Sequence, residues 1–307
     1  MSLQRSGTGS LDCMASVEVT GGITIEYDVR GSGQPMLFVM GLGGQLTAWS
    51  DDFVDLFVQQ GFQVIRFDNR DIGLSTQTEW TPPSQAKLMR SFLTRRPLQG
   101  AGYTLPDMAD DAAGLLDALA IPRAHVVGVS MGGMISQELA IRHGDKVISL
   151  CSIMSNTGDR KNGGITTSLV RKLGRQKPAT RATAVDQAVE TFQAISGPHF
   201  DPHEHRQIAR AELERSFTPQ GVARQTAAIA ASRDRTPLLG AVTAPTLVIH
   251  GLIDPLVKPS GGEATAKAIP SARLLAFGDM GHDLPRPRWS EIADEIITNA
   301  RRASITV

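Results

Sequence analysis

The chain has 307 residues, with 31 Lys and Arg against 31 Asp and Glu, 41% hydrophobic and 20% charged residues. This composition suits one large globular domain, or a domain with an insertion, and excludes a disordered chain. The neutral balance argues against a nucleic-acid partner, which needs a basic face, and no apolar run approaches the ~18 residues of a membrane span.

Residues 1–14 are polar and rich in Gly and Ser, without the apolar stretch of a secretory signal, and read as a flexible N-terminal tail. Ala15–Thr20 and Ile23–Val29 flank Gly21-Gly22 and predict an antiparallel hairpin. Six apolar runs follow: Met36–Met40, Gln63–Phe67, His125–Val129, Val147–Met154, Thr246–His250 and Arg273–Phe277. Their lengths and their Gly, Pro and Asp borders suit strands buried on both faces. Helical patterns cover Asp51–Gln60, Pro106–Ala120 and Met131–His143, the last with Gly144 in the C-cap place. Another repeats Trp289, Ile292 and Ile296. Strand alternating with helix predicts an α/β fold whose mostly parallel sheet is flanked by helices. The rhythm breaks over 157–233, which has helical stretches interrupted at Gly197-Pro198 and Pro219 and no convincing strand. We take it as a helical cap insertion over the carboxyl edge of the sheet, leaving 15–156 and 234–307 as the core.

Gly128-Val129-Ser130-Met131-Gly132 is the main chemical signal. Gly-x-Ser-x-Gly alone is weak; between a predicted strand and a predicted helix it marks a nucleophile elbow. A sharp turn strains the serine backbone and admits only small neighbours, here Gly128 and Gly132, and the next helix points its unpaired amides at the same spot. A serine hydroxyl is a poor nucleophile and needs a base, which needs an orienting carboxylate. Asp254 and His282 each follow a predicted strand, where open α/β sheets place functional groups, and the order Ser130, Asp254, His282 is that of the hydrolases. Among the rivals, His125 opens a strand at its amino edge, His143 closes a helix, and His250 suits a supporting place beside the site. Asp234, Asp279 and Asp283 compete with Asp254. The oxyanion needs two donors: the Met131 amide and, by position in the loop Gly41-Leu42-Gly43-Gly44, the Leu42 amide.

Gly41–Gly44, the run Phe67-Asp68-Asn69-Arg70-Asp71-Ile72-Gly73-Leu74-Ser75, Gly128–Gly132, Asp254 and Gly281-His282 together resemble the α/β-hydrolase superfamily, in particular the aclacinomycin methylesterase-like carboxylesterases. The resemblance runs from about Ile23 to Arg302 and is weakest in the insertion. It implies an eight-stranded, mostly parallel sheet with a helical cap between strands six and seven, and a bracing role for Asp68, Arg70 and Ser75. Many relatives carry His where this chain has Met40, which removes one brace of the oxyanion loop.

The expected activity is serine-dependent cleavage of a small or methyl carboxylic ester through an acyl-enzyme on Ser130, with no metal and no cofactor. The alternatives are a cofactor-free haloperoxidase or perhydrolase, which shares the Ser-Met-Gly-Gly run, and a non-catalytic ligand receptor on the same fold. His199, His203, Glu204 and His205 read as polar surface, since residues two apart do not share a helix face. Arg171, Lys172, Arg175, Lys177 and Arg181 read as solvated, and an acidic substrate drawn by them is the less favoured reading. Cys13 and Cys151 do not suit a disulfide: Cys151 reads as a small buried hydrophobe, and the pair of thiols fits a cytoplasmic setting. The expected partner is a small ester, with neither nucleic acid nor membrane; no feature of the sequence sets an oligomeric state.

Overall fold

The computed structural model describes residues 14–94, 96–176 and 178–303; the expected tail before Met14, with Cys13 and Lys177, lies outside them. The three-residue loop Thr20-Gly21-Gly22 turns the chain between β1 (Ala15–Val19) and β2 (Ile23–Gly31), and both glycines take the positive φ that favours residues without a Cβ. Next come β3 (Gln34–Val39), β4 (Phe62–Phe67), β5 (Ala124–Val129), β6 (Val147–Ile153), β7 (Thr246–Gly251) and β8 (Ala272–Phe277). They form one eight-stranded sheet in the order β1-β2-β4-β3-β5-β6-β7-β8. The pairings of β1 with β2 and of β2 with β4 are antiparallel, and the rest are parallel.

The helices are α1 (Asp51–Val58), α2 (Gln85–Thr94), α3 (Leu105–Ala118), α4 (Met131–Arg142), α5 (Thr167–Leu173), α6 (Ala184–Ile195), α7 (Pro202–Arg215), α8 (Pro219–Ala231), α9 (Thr236–Leu239), α10 (Ser260–Ala268) and α11 (Trp289–Arg302). Their starts are written locally. Ser50 Oγ accepts from the Phe53 amide, and Thr104 and Asp107 cap α3 reciprocally. Asp201 caps α7, and Pro202 and Pro219 sit in first turns, where the missing N–H costs nothing. Gly144 differs from expectation: it has no left-handed conformation and opens a short 3-10 turn, Gly144–Lys146.

Alternation along β3 sorts the core. Leu37 and Val39 pack with α3 and α4 on one face, while Met36 and Phe38 pack with α1 and α11 on the other. Cys151 lies in the second cluster, 2% exposed, and burial pushes its thiol pKa up, so it behaves as an apolar side chain. β8 corrects an expectation: it is an edge strand with Leu274 exposed, not one buried on both faces. Besides the one-turn α9, two helices outside the 157–233 segment are not among the expected elements. α2 repeats Leu88, Met89, Phe92 and Leu93 at helical spacing, whereas the small residues of α10 serve close approach: a Cβ on Gly262 would lie 2.5 Å from His250 Nδ1. Between β6 and β7 the described residues hold only helices, with Gly197-Pro198 separating α6 from α7.

Candidate active site

The strand order reverses direction between β3 and β5, so the loops leaving these two strands diverge and open a crevice at their carboxyl ends. Ser130 stands there, immediately after β5. Its backbone has φ 54° and ψ −119°, a conformation that costs an L-residue energy and turns the side chain out of the sheet. The turn is tied to the sheet by Ser130 N–H donating to the Ile153 carbonyl at 2.8 Å. Its glycines are sterically required: a Cβ on Gly128 would lie 2.3 Å from the Gly132 carbonyl oxygen, and one on Gly132 would lie 2.0 Å from that of Val39.

Two later loops converge on this hydroxyl. His282 Nε2 lies 2.9 Å from Ser130 Oγ, and His282 Nδ1 lies 2.7 Å from Asp254 Oδ2. The other oxygen of Asp254 accepts from the Leu256 and Val257 amides at 2.8 and 2.9 Å. Asp254 is fully enclosed and His282 nearly so. The His282 amide donates to the Ile195 carbonyl at the end of α6, and Asp283 accepts from the Gly197 and Gly281 amides, so the 195–197 corner fixes the histidine loop. This chain of contacts aligns a hydroxyl, an imidazole and a carboxylate for proton transfer.

The rivals lie elsewhere or do other work. His125 is buried against Ser149 and Gln34 at the amino edge, and burial lowers its pKa to about 4. His143 pairs with Asp110. His250 is packed beside the site, with Nε2 2.7 Å from the Val257 carbonyl and 3.6 Å from Asp254. Asp279 is tied to Arg288 and His199, which hold its pKa down at about 2, and Asp234 accepts from the Thr236 amide. In the His199–His205 group, His203 is exposed, but His205 departs from the expected polar surface. It is half-buried against Phe192 and Phe200, and desolvation lowers its pKa.

The loop after β3 faces the elbow, with a Cβ on Gly41 falling 3.2 Å from Ser130 Cβ. The Leu42 and Met131 amides have no protein acceptor among the described residues, the latter because it opens α4. Four residues without an assigned role in the sequence hold this loop. Asn69 Nδ2 donates to the Met40 carbonyl at 2.9 Å. The Gly43 amide donates to Gln225 Oε1 of α8 at 3.0 Å. The Gln45 amide donates to Glu212 of α7 at 3.1 Å, and Arg215 Nη1 reaches both Gln45 Oε1 and Asp68 Oδ2. Asp68 also accepts from the Leu46 and Leu74 amides, Ser75 Oγ donates to the Asp68 carbonyl, and Arg70 pairs with Asp111. Asn69 lay in view within the Phe67–Ser75 run, whereas the partners on α7 and α8 are 167–182 residues away from the loop and leave no local signal.

Ser130 and Leu42 open into a cavity of about 1010 Å³ walled mainly by apolar side chains, among them Leu88, Met134, Val170 and Leu213. No helix among the described residues is long and apolar enough to cross a membrane.

Comparisons agree with this architecture. The rhodomycin D methylesterase DnrP of Streptomyces peucetius is 27% identical over 294 residues, spanning 88% of this chain and 92% of the relative. BpoC of Mycobacterium tuberculosis, a protein to which non-heme bromoperoxidase activity has been attributed, is 30% identical, spanning 85% and 91%. A thermophilic esterase from Thermogutta terrifontis superposes with a TM-score of 0.69 at 23% identity, over 95% of this chain and 99% of that one, a likeness of fold. A family model described as alpha/beta hydrolase fold matches residues 34–285, and the chain belongs to that family.

Proposed function

We propose that the protein is a serine carboxylesterase acting on small or methyl esters. The observation that carries the reading is the continuous contact from Ser130 Oγ through His282 to Asp254, at 2.9 and 2.7 Å, on a strained elbow serine. In the proposed reaction His282 takes the hydroxyl proton as Ser130 attacks the ester carbonyl. Asp254 holds the imidazole tautomer and stabilises the imidazolium, and the Leu42 and Met131 amides receive the oxyanion. The alcohol leaves with the proton from His282, and water then repeats the sequence on the acyl-enzyme. No step calls for a metal or a cofactor. The helices over 157–233 serve as the cap that walls the acyl and alcohol pockets. The methylesterase relative supports the ester assignment.

The test is hydrolysis of p-nitrophenyl acetate, with mass spectrometry of quenched protein for acylated Ser130. Expected are turnover in the wild type and loss of both signals in Ser130→Ala. Absence of turnover on esters of every chain length, with tight binding of a small ligand, would instead favour a receptor. The bromoperoxidase relative supports a second reading, perhydrolysis, in which peroxide replaces water at the acyl-enzyme. Peracid formation faster than ester hydrolysis would select it.

A further inference from the structure

Four charged side chains border the cavity that Ser130 opens into: Glu212 and three arginines, Arg160, Arg233 and Arg235. Glu212 is committed to the oxyanion loop through the Gln45 amide. The arginines gather about the turn that follows β6 and the end of α8. Arg160 Nη2 donates to the Ala230 carbonyl at 2.8 Å, and Arg233 pairs with Glu138. Arg235 Nε donates to Gln137 Oε1 at 3.0 Å and Nη2 to the Asn156 carbonyl at 2.8 Å.

Arg235 is the unusual member. It is 1% exposed, yet no carboxylate lies within ion-pair distance of it or of Arg160 among the described residues. Its Nη1 has no protein acceptor there and is not among the enclosed unpaired atoms, so this end of the guanidinium meets the cavity. Burial lowers its pKa to about 10, which leaves it charged at neutral pH. Glu138 and Asp234 act on it only at longer range, and a buried cation without a direct ion pair is expensive for a fold to retain. By contrast, the surface cations Arg171, Lys172, Arg175 and Arg181 are exposed to solvent.

We propose that Arg235, assisted by Arg160, binds a carboxylate on the substrate, so that the preferred ester carries a second, ionised acid group. This rests on the esterase reading and names its substrate class. The guanidinium fork matches a carboxylate in shape and charge. Gln137, which holds Arg235, lies six residues beyond Met131 in α4, about 9 Å of helix rise. The acid therefore sits several carbons from the scissile carbonyl.

The probes are the monomethyl esters of adipic and suberic acid against methyl hexanoate and methyl octanoate, compared by kcat/KM at pH 7.5. The wild type is expected to favour the charged member of at least one pair by about tenfold or more, as one charge-assisted contact provides. Arg235→Gln and, separately, Arg160→Gln should reduce that charged-to-neutral ratio, with Arg235→Lys recovering part of it. Arg160→Gln keeps the test available should the buried substitution fail to fold. Equal rates on both members of each pair in the wild type, or a ratio unmoved in the variants, would overturn the proposal. If no ester is hydrolysed the esterase reading fails by itself, and calorimetric titration with suberate then decides the anion site. Binding weakened in Arg160→Gln supports it, and absence of binding to the wild type removes it.

Discussion

Asn69 donates its side-chain amide to the main-chain oxygen of Met40, and so ties the β4 loop to the loop that carries the Leu42 amide. The brace on the Met40 carbonyl thus comes from the loop that follows the neighbouring strand. Asn69 is 2% exposed, so removing it leaves a buried carbonyl unpaired, at a cost of about 1–3 kcal/mol. Asn69→Ala is expected to lower kcat on p-nitrophenyl esters about 10- to 100-fold with little change in KM, since an oxyanion donor acts mainly in the transition state. A rise in KM at constant kcat would contradict this account.

Asp254→Asn should leave the fold intact and lower kcat by about four orders of magnitude, because an amide can favour the wrong imidazole tautomer. Its oxygen still accepts from the Leu256 and Val257 amides, so circular dichroism and melting temperature should change little. Steady-state kinetics beside a thermal melt checks both halves.

Gln225 bridges the Gly43 amide and the Arg70 carbonyl from α8 and is wholly buried. Gln225→Leu leaves both groups unpaired and should cost stability of about 1–3 kcal/mol as well as kcat. Gln225→Glu retains an acceptor for Gly43 and should recover more of kcat than Leu does. Equal losses of kcat in the two variants would show that the contact to Gly43 has no part in turnover.

Glu212 has its pKa pushed up to about 7, first by burial and then by the charge of Asp68, against the Gln45 amide and Arg215, which lower it. A proton is held more tightly in the folded state, so folding is favoured at low pH. That contribution is lost as pH rises from the unfolded value of 4.5 through about 7. Glu212→Gln keeps the acceptor oxygen and removes the charge. Its melting temperature relative to wild type is expected to climb across this window and level off above it. A difference that is flat in pH would contradict the raised pKa.

The local content of the sequence was sufficient for most elements of the core and for the elbow. Continuous apolar runs mark β3 to β7, Gly21-Gly22 marks the hairpin, and Gly128-x-Ser130-x-Gly132 between strand and helix marks the turn, because each depends on residues within a few positions of one another. Asp254 and His282 were legible for the same reason, as polar residues just past strand ends. Tertiary structure decided the rest. The exposure of β8 follows from its place at the sheet edge, and α10 is hidden in sequence because its glycines answer to His250 and Asn156 across space. The grip of α7 and α8 on the loop after β3 and the unpaired end of Arg235 are properties of side chains brought together across long stretches of chain. Periodicity reports which face of an element is apolar; it carries no information about which distant polar group the folded chain will bring against it.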